Sequence, residues 1–263
     1  MSLRAGSGSG QPEGLAIAGF TRFSSCDWPG RLVATVFLQG CPWRCTYCHN
    51  PDLLDPRSPG THDWVEVTGF LARRRGLLDG VVFSGGEPTR QAGLPAAIAQ
   101  VRRLGFRVGL HTAGAYPRRL AEVLPSLDWV GLDIKAPRDR YHRITGVAAS
   151  GEAAFGSLAA VLASGVDHEV RVTVDPTTHS AAEIDGLVAE LDRLGAGRIV
   201  LQEARGQGAG PGYVAALAGR RLRDLLAHPP AGVELRETVP PGDPVRRSPV
   251  AAAAAVREYP GGV

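Results

Sequence analysis

Three of the chain's four cysteines, Cys41, Cys45 and Cys48, fall within eight positions in the string GCPWRCTYCHNP. Thiolates are soft ligands. CxxxCxxC in one loop, with three sulfurs rather than four, suits an iron–sulfur cluster in which one iron lacks a protein ligand. Such an open iron can bind a substrate directly. Two other chemistries compete for the same residues. Cys41, Cys45, Cys48 and His49 could supply a Cys3His zinc site, although a histidine directly after a cysteine is awkward for a tetrahedron. The string from Cys45 to His49 also reads as CxxCH, the attachment pattern of c-type haem, which would leave Cys41 without a role. Spacing and context favour the cluster. Cys26 lies outside the motif and is expected to be a small buried apolar residue.

Lys135 adds a second signal, because it is the only lysine among 29 basic side chains. A compact ammonium kept where every other cation is a guanidinium suggests a ligand-binding task that a planar fork does not fill. An ion pair with Asp133 is the structural alternative. SGGEP at 84–88 joins two glycines, which allow close backbone approach, to a carboxylate and a ladder-breaking proline. A plain turn explains that string about as well.

The elements that must position these groups follow from periodicity. Short β-rich runs at 32–38, 81–84, 106–110, 129–134, 169–174 and 198–201 alternate with helical stripes. Asp63 with Glu66 resembles a capping box ahead of Trp64, Val67, Phe70 and Leu71. Leu94, Ile98 and Val101 form a stripe closed by Gly105, and Ser180 with Glu183 opens a helix carrying Ile184, Leu187, Val188 and Leu191. Six strands in units of roughly 30 residues argue for an α/β fold with a parallel sheet, either a partial barrel or an open doubly wound sheet. Functional groups then belong at the carboxyl ends of strands. The polar outliers fall there: the cysteines after the first strand, SGGEP after the second, His111 at the third, Asp133 and Lys135 at the fourth and Gln202 at the sixth. Alternation turns Leu132, Ile134, Val170, Val172 and Val174 toward helices and leaves Gly131, Asp133, Lys135, Arg171 and Thr173 inside. Charges in a closed small barrel would be costly, so an open interior holding a charged ligand is expected.

With 44% apolar and 21% charged residues and no apolar run near the ~20 needed to span a bilayer, the 263-residue composition is that of a soluble globular protein without a membrane span. A net charge of +3 is too slight to mark a nucleic-acid partner. Residues 1–14 lack a secretory apolar stretch and are expected to be a flexible leader of a cytoplasmic protein. Residues 15–228 form the expected domain, and the proline- and alanine-rich 229–263 an extended tail.

CxxxCxxC after the first strand, together with DWPGRLVATVFLQGCPWRCTYCHNPDLL, SGGEP, LDIKAP and YHRITG, resembles the radical S-adenosylmethionine enzymes, and within them the glycyl-radical-enzyme activases. The resemblance spans about Phe20 to Gln202. It implies a TIM-like partial (β/α)6 barrel, a [4Fe-4S] cluster on Cys41, Cys45 and Cys48, and S-adenosylmethionine on the open iron. Tyr47 would lie near the adenine, and Gly85, Gly86 and Glu87 would contact the methionyl amino group. Asp133, Lys135 and Arg171 would line the carboxylate and ribose, with an ion pair to Asp133 as the competing role for Arg171. The implied partner is a glycyl radical enzyme, in the first place an anaerobic ribonucleoside-triphosphate reductase, with reduced flavodoxin or ferredoxin as electron donor. A radical enzyme acting on a small molecule such as a deazapurine precursor shares all these cofactor residues, and a non-enzymatic iron–sulfur or zinc module needs fewer. LHTAG departs from the Asp-Thr-Asn-Gly arrangement frequent in the activases, which puts a monovalent-cation site in doubt. His111 stands there either as a hydrogen-bond donor to the cofactor or as a satisfied strand-end histidine.

Overall fold

The β-branched and glycine-punctuated runs pair in sequence order into one sheet in the computed structural model, which describes residues 11–237. The strands are β1 (Ile17–Ser24), β2 (Val33–Leu38), β3 (Gly80–Gly85), β4 (Arg107–Thr112), β5 (Trp129–Asp133), β6 (Asp167–Val174), β7 (Ile199–Glu203) and β8 (Glu234–Arg236). β1 runs antiparallel to β2, and every later neighbouring pair is parallel. When spatial order equals chain order, right-handed crossovers put all connecting helices on one face. That excludes the doubly wound alternative and leaves the expected partial (β/α)6 barrel, built on β2 to β7. β1 and β8 are the two edges of the sheet, so the barrel stays open.

The helices are α1 (Trp64–Ala72), α2 (Leu94–Arg103), α3 (Pro117–Val123), α4 (His142–Thr145), α5 (Ser150–Ser164), α6 (Ala181–Arg193), α7 (Pro211–Leu217) and α8 (Leu222–Leu225). Leu132, Ile134, Val170, Val172 and Val174 are buried in one core with Ile184, Leu187 and Leu191 of α6 and Leu94, Ile98 and Val101 of α2, as strand alternation requires. α6 starts with the predicted capping box of Ser180 and Glu183, and Gly105 follows α2 at φ +89°.

The inner face has its own floor. Trp28, from the turn between β1 and β2, stacks on Trp129 with ring centroids 5.6 Å apart and packs with Val33 and Val82. Gly109 on β4 makes room for it: a Cβ there would sit 2.9 Å from the Trp28 ring.

Four expectations differ from the structure. Asp63 precedes α1 but its carboxylate caps nothing, and Glu66 turns instead to His62 (3.0 Å) and Arg22 (3.4 Å). Cys26 is exposed rather than buried, beside the Ser24 hydroxyl at 3.3 Å. β1 was not foreseen, because its IAGFTRFS run has a glycine and mixed polarity where alternation was sought. β8 lies beyond His228, in the stretch read as tail. It adds to β7 and is pinned by a two-pronged Arg236–Glu169 ion pair with both bonds at 2.8 Å. Of the expected leader, Pro12–Gly14 form a 3-10 turn with Pro12 buried. The remainder of leader and tail, 1–10 and 238–263, lies outside the described residues. Among the described residues no single helix is long and apolar enough to cross a membrane.

Replacing Trp28 with alanine is expected to lower the unfolding free energy by about 3–5 kcal/mol, the usual cost of emptying a large aromatic site. Urea denaturation of the two chains measures this, and a loss below about 1 kcal/mol would show that the floor is not packed.

Candidate active site

After β2 the chain turns at Gln39 and Gly40 into the cysteine loop. The Gln39 side-chain amide donates to the carbonyls of Asp52 (2.8 Å) and Asp55 (2.9 Å), and the Gln39 backbone carbonyl accepts from the Gln91 side-chain amide (3.0 Å). Gly40 and Cys41 N–H groups donate to Leu53 and Leu54, tying the loop's entry to its exit. Arg44 and Thr46 donate to the carbonyls of Thr145 and Ile144, and Trp43 packs edge-on against Tyr141 at 5.6 Å. The YHRITG string is therefore the seat of the cysteine loop.

SGGEP is the other side of that seat. Gly85 has φ +121°, and a Cβ there would fall 2.3 Å from the Leu38 backbone; one on Gly86 would fall 2.5 Å from the Gly40 carbonyl oxygen. Gly86 donates to Leu38 and Glu87 to Gly40. The Glu87 carboxylate, expected against a ligand amine, is taken up by protein donors. The carboxylate is fully buried and accepts from Thr89 N–H (3.1 Å), the Thr89 hydroxyl (2.5 Å), the Thr112 hydroxyl (2.7 Å) and Ala113 N–H (2.9 Å). Four protein donors hold it inward, where it bolts the end of β3 to the end of β4.

Three charged groups meet on the inner face. β5 and β6 pair with Asp133 opposite Arg171. Asp133 accepts from Arg171 Nε at 2.8 Å and from Lys135 Nζ at 3.2 Å, and Arg171 also donates to the Gly131 carbonyl. Both structural alternatives from the sequence, ion pairs of Lys135 and of Arg171 with Asp133, are thus present in one trio. Burial alone would raise the Asp133 carboxyl; Arg171 and then Lys135 outweigh it and bring it down to about 2. Burial works against the Lys135 ammonium, but Tyr47 and Asp133 hold it well above its ordinary range. Two cations against one carboxylate leave one positive charge in a largely buried place, which favours an anionic ligand group.

Tyr47 closes the group. Its ring is buried, edge-on to Tyr213 at 6.5 Å, with Lys135 Nζ 5.8 Å from its centroid. Its hydroxyl is buried and has no hydrogen-bond partner among the described residues. A phenol in that state costs free energy unless a ligand or water completes it. Burial pushes the Cys41 thiol up to about 12 and raises Cys45 as well. These thiols become thiolates only against a strong cationic centre such as a metal cluster. Cys48 is half-buried beside them.

Of the two readings of His111, the geometry matches the satisfied strand-end histidine. Its Nε2 lies 2.7 Å from the Asp27 carbonyl and its Nδ1 3.3 Å from the Ser84 hydroxyl, so both ring nitrogens serve the protein and none is left to donate to a cofactor. His49 has its Nε2 occupied by Arg205 N–H at 3.2 Å, which removes it as a zinc ligand through that atom. Among the described residues no three His, Cys, Asp or Glu side chains are grouped as a single-ion site. A four-iron cluster offers each thiolate a separate iron, so its ligands can stand wider apart than those of one zinc.

A sequence model described as the Radical SAM superfamily matches residues 35–187. The chain belongs to this superfamily. Membership brings a [4Fe-4S] cluster and S-adenosylmethionine, and the donor set fits them: three thiols, an uncompensated cation and a phenol awaiting a partner. The zinc and haem readings fall with it. The chain is 30% identical over 141 residues to a Methanocaldococcus jannaschii protein named as a glycyl-radical enzyme activating enzyme, a match covering 52% of this chain and 57% of that one. It is 36% identical over 166 residues to a pyruvate formate-lyase-activating enzyme of Clostridium pasteurianum, covering 60% and 67%. These matches span little more than half to two thirds of the relatives' length. Among solved structures, SuiB of Streptococcus suis bound to S-adenosylmethionine superposes with a TM-score of 0.53 at 15% identity, covering 76% of this chain and 48% of that one. The AdoMet-bound anSMEcpe gives 0.52 at 18%, covering 64% and 49%. At such identities the likeness shows the fold, and it agrees with the partial barrel.

Sequence reasoning in this radical SAM chain missed Tyr141, Asp175, His179 and Tyr213 as parts of the site's frame. An aspartate at a strand end followed by Pro-Thr-Thr is a turn signature that could have marked the second of these.

Acid should weaken the fold in two stages. His111 is depressed from 6.5 to about 4 by burial and then by Arg171, so its contribution is fully present above about 6.5 and is lost as pH falls toward 4. Asp133 is depressed from 3.8 to about 2, so its contribution is present above about 4 and is lost as pH falls through 2. His49 and His179 shift in the same direction as His111, so a difference between variants is needed to isolate it. His111→Gln is expected to flatten the unfolding free energy between pH 6.5 and 4 by on the order of 3 kcal/mol. An unchanged slope in urea titrations at those pH values would show that the ring is not held neutral.

Proposed function

We propose that this chain is a glycyl-radical-enzyme activating enzyme whose partner is an anaerobic ribonucleoside-triphosphate reductase. The observation that carries the activase reading is the likeness to two proteins named as activating enzymes at 30% and 36% identity. The choice of partner rests on the resemblance of the run from Asp27 to Leu54. A reduced flavodoxin or ferredoxin in the cytoplasm serves as electron donor.

A reduced cluster on Cys41, Cys45 and Cys48 would supply the one electron that cleaves the sulfonium of S-adenosylmethionine, and with it the means to take a Cα hydrogen from a glycine of the partner. Cys41, Cys45 and Cys48 hold the cluster. Lys135 and Arg171, only half balanced by Asp133, grip the ligand's carboxylate and ribose, with the ammonium acting as a point charge and the guanidinium as a fixed fork. Tyr47 stands at the adenine and offers its unpaired hydroxyl. Gly85 and Gly86 bring backbone polar groups close to the methionyl amine. Glu87 acts at one remove, by fixing the strand ends. Among the described residues β1 and β8 are the sheet's edges and do not pair with each other, so the barrel is open at its side, which gives a peptide loop of the partner a way in.

The anaerobically reconstituted, reduced chain mixed with S-adenosylmethionine and the reductase is expected to produce a glycyl radical in electron paramagnetic resonance. A radical on pyruvate formate-lyase instead would reassign the partner. Cleavage of S-adenosylmethionine with no glycyl radical on either protein would overturn the activase reading in favour of a small-molecule substrate. Lys135→Met is expected to weaken S-adenosylmethionine binding about ten-fold or more in equilibrium dialysis, since one hydrogen bond to a charged group is worth about 1.5–3 kcal/mol.

A further inference from the structure

β5 ends at Asp133, and the last ladder bond on this side runs from Ile134 N–H to the Arg171 carbonyl at 2.9 Å. Lys135 lies beyond it and is held by side chains. Its N–H donates to the Tyr141 hydroxyl at 3.0 Å, and its carbonyl lies 2.9 Å from His179 Nε2. The other ring nitrogen of His179, Nδ1, lies 3.0 Å from the N–H of Asp175. A backbone N–H only donates, so Nδ1 is the acceptor, the ring proton is on Nε2, and Nε2–H donates to the Lys135 carbonyl. Both bonds therefore require one neutral tautomer.

The turn that carries His179 is locked in its own right. Asp175 is fully buried; one oxygen accepts from Thr177 N–H (2.9 Å) and the Tyr213 hydroxyl (3.0 Å), the other from the hydroxyls of Thr177 (2.9 Å) and Thr178 (3.0 Å). Tyr213 is the ring that stands edge-on to Tyr47. One buried carboxylate thus sets both the imidazole behind Lys135 and the tyrosine beside Tyr47.

We propose that His179 is a positioning residue for S-adenosylmethionine: through the Lys135 carbonyl it fixes where the chain's sole lysine ammonium stands between Asp133 and Tyr47. The proposal rests on the pocket being the S-adenosylmethionine site. With both nitrogens engaged by backbone groups, the ring acts through the main chain and not on the ligand. Burial lowers the ring's basicity, against the opposing pull of the Lys135 carbonyl and the Asp175 and Glu183 carboxylates, in keeping with a neutral imidazole.

Because Lys135 is the only lysine, amine-directed acylation followed by peptide mass spectrometry reads its accessibility without interference from any other side chain. His179→Gln places an amide nitrogen near Nε2 and keeps the donor to Lys135. His179→Asn places an oxygen near Nδ1 and keeps only the bond to Asp175. In the full chain without cofactors, acylation of Lys135 is expected to speed up about ten-fold in His179→Asn, the loss of one buried hydrogen bond, and to stay within about three-fold of the parent in His179→Gln. In the reconstituted protein, S-adenosylmethionine affinity should follow the same split at equal iron content. Equal labelling and equal affinity in both variants, with only a lowered melting temperature, would overturn the proposal. Should the parent protein bind no S-adenosylmethionine at all, the functional reading fails, while the labelling split still decides whether His179 positions Lys135.

Discussion

One carboxylate holding two cations at the end of β5 is the interaction on which the rest of the site depends. Removing a charge from water costs several kcal/mol unless it is paired and hydrogen-bonded, and Asp133 does this for Lys135 and Arg171 at once. The arrangement works only if β5 and β6 are neighbours in parallel register, which puts Asp133 directly across from Arg171. A one-residue slip would turn Arg171 to the helix side and leave Asp133 facing valine. The apolar alternation of β6, with Val170, Val172 and Val174 buried on the other face, is what forbids that slip. Packing energy on one side of the sheet therefore sets electrostatics on the other.

The cysteine loop is placed by a different means. It has no secondary structure of its own to fix it, so the backbone of its neighbours does so. Gly85 and Gly86 let the end of β3 lie against Leu38 and Gly40, at distances no side chain allows, and Glu87 clamps that end to β4. On the other flank, Trp43 and the loop's N–H groups lean on Tyr141 and α4. Burial disfavours the charged form of the Cys41 and Cys45 thiols inside this frame. A bound cluster would supply the positive charge against which these thiols ionise.

Much of this was legible in the sequence. The six parallel strands, the helix stripes, the cysteine set and the inward side of Asp133, Lys135 and Arg171 all follow from period and spacing. Strand order was not legible, since periodicity does not say on which side a helix crosses. Nor were β1 and β8, one too mixed in polarity and the other only three residues long. At the site, residue type misled where the backbone decided. Glu87 and His111 looked like ligand groups because they are polar at strand ends, but each meets protein donors or acceptors brought from 25 or more positions away. His179 was overlooked because its role appears only once β5 and β6 lie side by side.

The interior is layered, and the layering sets the direction of approach. Residues two apart on a strand stand about 6–7 Å apart along it. Trp129 with Trp28 forms the lowest layer. Gly131, across from His111 in the β4–β5 register, marks the next, and Asp133 the third. His111 fills its layer by bonding to the Asp27 carbonyl, so protein groups already occupy the space beneath the charged trio. A ligand at Asp133 cannot sink deeper, and a second reactant cannot come from below. The approach left by this layering is over the strand ends. The residues that look least chemical, Trp28 and Gly109, thus set the floor of the interior below the charged trio.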